Sequence, residues 1–105
     1  MNTINILGLE YTVERVPYIS KNEYLTGEID FIGQKILIDG GISAEKEKVV
    51  LLHEVLHGIC EGLGLDDLNN DETLIQSLST ALHQCLKDNP ILTKGVIYAE
   101  QQTNV

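Results

Sequence analysis

The sequence predicts an α+β fold, a small antiparallel or mixed β-sheet packed on two long helices. Three observations carry that expectation. The first forty residues hold short β-rich runs separated by glycine-containing turns, and the remainder holds two long helical patterns, about 43–63 and about 71–88. At 105 residues the chain can build one core but not two, so residues 1–105 read as a single domain.

Residues 4–7 and 10–16 read as short strands around Gly8, because YTVERV alternates Tyr11, Val13 and Arg15 against Thr12, Glu14 and Val16. Pro17 ends that pattern, and the irregular stretch from Val16 to Thr26 reads as a loop. GEIDFIGQKILIDGG then reads as a hairpin over 28–38, turning at Ile32–Gly33, with Ile29 and Phe31 on one arm and Ile36 and Ile38 on the other. Ser43 caps the first long helix, and Glu45 and Glu47 suit its positive end. Val49, Val50, Leu51, Leu52, Val55, Leu56, Ile59, Cys60 and Leu63 cover nearly its whole circumference, which predicts a helix packed on several sides. After the loop GLGLDDLNND, the second helix starts near Asn70 or Asp71 and stops before Pro90. Its core stripe reads as Leu74, Leu78, Ala81, Leu82 and Cys85, with Ile75 and Leu86 at its edge, leaving His83 facing solvent. GVIYA near the end predicts a further strand or short helix, and 100–105 reads as frayed.

With 7 Lys and Arg against 16 Asp and Glu, the net charge of −9 argues against direct nucleic-acid or anionic-membrane binding. No stretch approaches the roughly 18 apolar residues of a membrane span, and the first residues lack the pattern of a signal peptide. A cytoplasmic protein is expected, with Cys60 and Cys85 as buried free thiols.

Within the first helix, VVLLHEVLHGICEG places three polar side chains in an apolar run. Burying them unpartnered would cost several kcal/mol, and their spacing suggests a compensating metal ion. His53 and His57 lie about one turn apart on one helix face, where both imidazoles can reach one Zn²⁺. Glu54, about 100° round the helix, can reach a water at that metal as general base without being a ligand. His53-Glu54-Val55-Leu56-His57 is therefore H-E-x-x-H on a helix, the arrangement of a zinc-dependent peptidase.

A third protein ligand is required for a catalytic site with one open position. Leu63 and Ser77 occupy the positions that two other H-E-x-x-H patterns would use, and neither can serve. Glu61 lies about 12 Å along the axis from His53 and would need a helix break. Asp66, Asp67, Asp71 and Glu72 remain. The helical wheel places Asp71 nearer the centre of the leucine stripe and Glu72 about 110° from it.

HEVLHGICEGLGL, then DETLIQSLSTALHQCLKDNP, preceded by GEIDFIGQKILID, resembles the small phage and prophage members of the ImmA/IrrE family of zincin metallopeptidases over roughly residues 23–90. The resemblance implies a minimal zincin-like domain holding one Zn²⁺ per chain. It selects Glu72, which opens the second helix with Ile75 and Leu78 three and six residues on, as third ligand beside His53 and His57, with Glu54 as the base. It also implies hydrolysis of a peptide bond in a specific protein, such as a repressor-like regulator. The substrate is expected as an added strand on Gln34–Ile38 or its hairpin partner. Tyr11, Tyr18, Tyr24 and Tyr98 are the candidates for stabilising a tetrahedral oxyanion. The alternative is a catalytically silent relative acting as a protein-interaction module.

Overall fold

The computed structural model describes residues 2–17, 19 and 26–96. Its α+β architecture is a four-stranded mixed sheet with helices. Strands β1 (Asn2–Ile6) and β2 (Leu9–Val16) form an antiparallel hairpin. Leu7 and Gly8 turn it with positive φ of 52° and 90°, the paired left-handed conformation that matches strand twist. The Asn5 side chain accepts from the Gly8 N–H at 2.8 Å and fixes the reversal. Strands β3 (Gly27–Asp30) and β4 (Lys35–Asp39) form the second hairpin, one residue out from the expected 28–38. Residues 31–34 make its turn, so Phe31 leaves the strand, and Asp30 accepts from the N–H groups of Ile32 and Gly33 at 3.0 and 2.9 Å.

The sheet order is β1-β2-β4-β3, with β2 and β4 parallel and the other pairs antiparallel. This places β4 in the interior and β3 at an edge. The long helix α1 (Ala44–Leu63) lies on the sheet over a core of Ile6, Tyr11, Ile36, Ile38 and Val50. Ser43 caps it, accepting from the Lys46 N–H at 3.1 Å, and Gly64 ends it in the left-handed conformation, φ 69°. A Cβ on Gly58 would meet Ile6 Cδ1 at 2.8 Å and Ile29 Cδ1 at 3.3 Å, so that glycine lets α1 approach the sheet closely.

The stretch expected as a loop after α1 contains a one-turn helix, α2 (Asp66–Asn69). It leads into α3 (Glu72–Asp88), capped by Asp71, and a final turn, α4 (Ile91–Lys94), precedes Gly95. One short helix thus links the two long ones and another follows them. Sheet on one side and α3 on the other enclose α1, which accounts for its all-round apolar surface.

The buried face of α3 differs from the expected leucine stripe. Ile75 and Ser79 are buried, whereas Leu78, Leu82 and Leu86 are exposed. A small side chain at the crossing lets two helices pack closely, and the Ser79 hydroxyl is satisfied by the Gln76 carbonyl at 2.9 Å. His83 shares that face. It is not free in solvent: its Nε2 lies 2.8 Å from Glu45 Oε2 on α1, and the contact holds the Glu45 carboxyl below its ordinary range. Both cysteines are free thiols, but only Cys60 is fully buried and Cys85 is partly exposed. Tyr18, Tyr24 and Tyr98, most of GVIYA and the expected frayed end fall outside the described residues.

Candidate metal centre

His53, Glu54 and His57 project from the middle of α1, and α2 and α3 carry the chain back over them. The turn into α3 decides which acid arrives. Asp71 is occupied as the cap, its side chain accepting from the Leu74 N–H at 3.0 Å. Glu72, the next residue, straddles the two imidazoles. Its Oε2 lies 3.1 Å from His53 Nε2 and its Oε1 2.8 Å from His57 Nε2. The ring centroids are 4.9 Å apart.

The opposite nitrogens of both rings are engaged as well. His53 Nδ1 is 2.8 Å from Gln76 Oε1, and His57 Nδ1 is 2.6 Å from Asn69 Oδ1. One ligand atom from each of His53, His57 and Glu72 lies within 4.8 Å of the others, so the group can hold a metal ion. Two imidazole nitrogens and one carboxylate oxygen also match, in type and number, the donors of a catalytic zinc centre with one open position, where ligand atoms stand about 3.3 Å apart.

Glu54 is buried, and that burial raises its carboxyl above the ordinary range. Glu72 and Glu28 push the same way, while His53 and His57 oppose them. It shares a cavity of about 450 Å³ with His53 and Glu72. Thr26 and Gly27 at the start of β3 wall it on one side, Thr73, Gln76 and Ser77 of α3 on the other, with Val50 on the α1 side. The cavity therefore lies between β3 and α3, lined by the carboxyls of Glu54 and Glu72 and the imidazole of His53.

The other acids fall elsewhere. Asp66 and Asp67 form the first turn of α2, and Glu61 accepts from Asn69 Nδ2 at 3.4 Å instead of reaching the histidine pair. Tyr11 is 3% exposed in the core, where burial raises its hydroxyl above the usual value, and it does not line the cavity. Packing is its role here. Asn69 and Gln76 escape the sequence reading. Gln76 carried a usable signal, since it stands one helical turn beyond Glu72 on the same face. Asn69 carried none, because α2 is a single turn with no periodic pattern. Among the described residues no helix is long and apolar enough to cross a membrane. Compared with protein-family models, curated proteins and solved structures, the chain matches none.

Proposed function

We propose that the protein is a zinc-dependent peptidase of the ImmA/IrrE type, cytoplasmic, with one ion per chain held by His53, His57 and Glu72. The observation that carries this reading is the convergence of both His Nε2 atoms on Glu72 at 2.8 and 3.1 Å, beside a cavity lined by His53, Glu72 and the buried Glu54. A purely structural zinc site closes with four protein ligands and needs no base. When bound, zinc supplies Lewis-acid polarisation of the scissile carbonyl and lowers the pKa of a water molecule to about 7.

The chain's own groups do the rest. Glu54 takes a proton from the attacking water and delivers it to the leaving nitrogen. Burial raises its carboxyl above the ordinary range, the direction that helps it hold the proton it passes on. The substrate is a protein segment laid as an added strand along β3, which among the described residues is the free edge beside the cavity. Strand β4 is set aside for that role, because both its sides are already paired. Following the family resemblance, the substrate is a repressor-like regulator.

Metal analysis after zinc reconstitution is expected to give one equivalent. Incubation with helix-turn-helix repressors of the same phage or host locus is expected to give one defined cut. Glu54→Gln is expected to keep the zinc and lose hydrolysis by about 10²–10⁴-fold, as for loss of a general base. A second reading, an interaction module without catalysis, draws support from the exposed leucines on α3. Zinc-loaded protein that binds such a repressor and never cuts it, with Glu54→Gln binding equally well, selects the module.

A further inference from the structure

We propose that Asn69 and Gln76 are positioning residues that hold both histidine rings by Nδ1 so that Nε2 is the atom offered to a metal ion. The proposal rests on the metal-centre reading and adds to it the groups that choose which ring nitrogen faces the metal.

The argument follows donors and acceptors outward from each ring. Asn69 Nδ2 faces Glu61 Oε2 at 3.4 Å, and a carboxylate can only accept, so the amide must turn its NH₂ toward Glu61. Its oxygen is then the atom 2.6 Å from His57 Nδ1. An amide oxygen also only accepts, so His57 Nδ1 carries the hydrogen. On the other side, the Thr80 hydroxyl donates to the Gln76 main-chain carbonyl at 2.9 Å, which leaves its oxygen to accept from Gln76 Nε2 at 3.3 Å. Gln76 Oε1 is thereby turned to His53 Nδ1 at 2.8 Å, and that nitrogen must donate.

Two independent networks, one through α2 and one along α3, end in the same result. Each ring is held by its Nδ1 hydrogen and turns Nε2 toward Glu72. Each ring is also held against rotation. A ligand whose orientation is already set need not reorganise when a metal binds, and loss of such an outer partner typically costs 10–100-fold in metal affinity.

The first test is nitrogen NMR of the zinc-loaded wild type with ¹⁵N-labelled histidine. The expected spectrum has His53 and His57 metallated through Nε2 with the hydrogen on Nδ1, and metallation through Nδ1 overturns the proposal. The second test is zinc affinity by competition with a chelator. Gln76→Met and Asn69→Leu keep bulk and remove the acceptor, and each is expected to weaken zinc binding by about 10–100-fold. Gln76→Glu keeps an acceptor and is expected to retain most of the affinity. Wild-type affinity in both acceptor-free variants overturns the proposal, and if these variants fail to fold the nitrogen spectrum of the zinc-loaded wild type decides. A wild type that binds no zinc overturns the metal-centre reading and the proposal with it.

Discussion

Gly27 on β3 lies so close to Glu54 on α1 that a Cβ there would stand 2.9 Å from Glu54 Oε2 and overlap Val50 Cγ1. The start of the edge strand therefore defines the space in which the buried carboxyl sits. Gly27→Ala is expected to cost about 1–3 kcal/mol through overpacking. On the peptidase reading it should also lower hydrolysis beyond what lost folded protein explains, because the added methyl group displaces Glu54. Unchanged melting and unchanged activity would show that Glu54 is not held by this contact.

The two neighbouring acids at the head of α3 are expected to separate cleanly. Asp71→Ala removes the cap on Leu74 and should cost about 1 kcal/mol while leaving zinc affinity near wild type. Glu72→Ala removes the only carboxylate in the metal-ligating group and should weaken zinc binding strongly with little loss of helix stability. Isothermal titration or chelator competition on the two variants checks this, and a reversed order would make Asp71 the ligand.

Much of this arrangement was legible in sequence, and the gaps have physical causes. Ser43, the apolar circumference of α1 and the spacing of His53 and His57 are local signals, and local signals survive folding. The rotation of α3 is not local. Leucines dominate any helical wheel, so the wheel centred the core on Leu78 and Leu82. The close crossing of α1 instead buries Ile75 and the small Ser79. That rotation also removes the conflict over Glu72: measured from the true buried stripe, Glu72 lies about 40° from the midpoint of Ile75 and Ser79. The parallel pairing of β2 with β4 was unreadable for a related reason, since register between distant strands leaves no periodic trace.

The rotated core yields its own prediction. Ile75→Ala is expected to cost about 2–5 kcal/mol, as for a fully buried aliphatic side chain. Leu82→Ala, at 39% exposure, is expected to cost at most about half as much. Denaturant melts of the two variants would place α3 the other way round if Leu82 proved the costlier loss.

Arg15 on β2 grips Glu47 on α1 through two bonds of 2.6 and 2.8 Å. The guanidinium holds the Glu47 carboxyl below its ordinary range. A carboxyl whose value is lower in the folded than in the unfolded chain contributes stability that is fully present above the ordinary value of about 4.3 and lost as pH falls through the depressed value. A double-mutant cycle with Arg15→Met and Glu47→Gln should therefore show coupling in melting temperature at neutral pH and low salt, weakening with added salt. The coupling should vanish in strong acid, and coupling that persists there would mean the pair acts through packing.

Removing the metal is expected to destabilise the fold, because the Glu72 carboxylate and both Nε2 atoms converge on one point and a cation there binds the folded chain alone. With free zinc at about a hundred times its dissociation constant, that linkage contributes about 2.7 kcal/mol. In a domain of this length each kcal/mol moves the melting temperature by about 4–8 °C, so chelation should lower it by about 10–20 °C. The shift should grow with the logarithm of added zinc and disappear in Glu72→Ala, whose melting should no longer respond to chelator. Melting that ignores both zinc and chelator in the wild type would mean that His53, His57 and Glu72 meet as a hydrogen-bonded cluster, and the peptidase reading would fall with the metal.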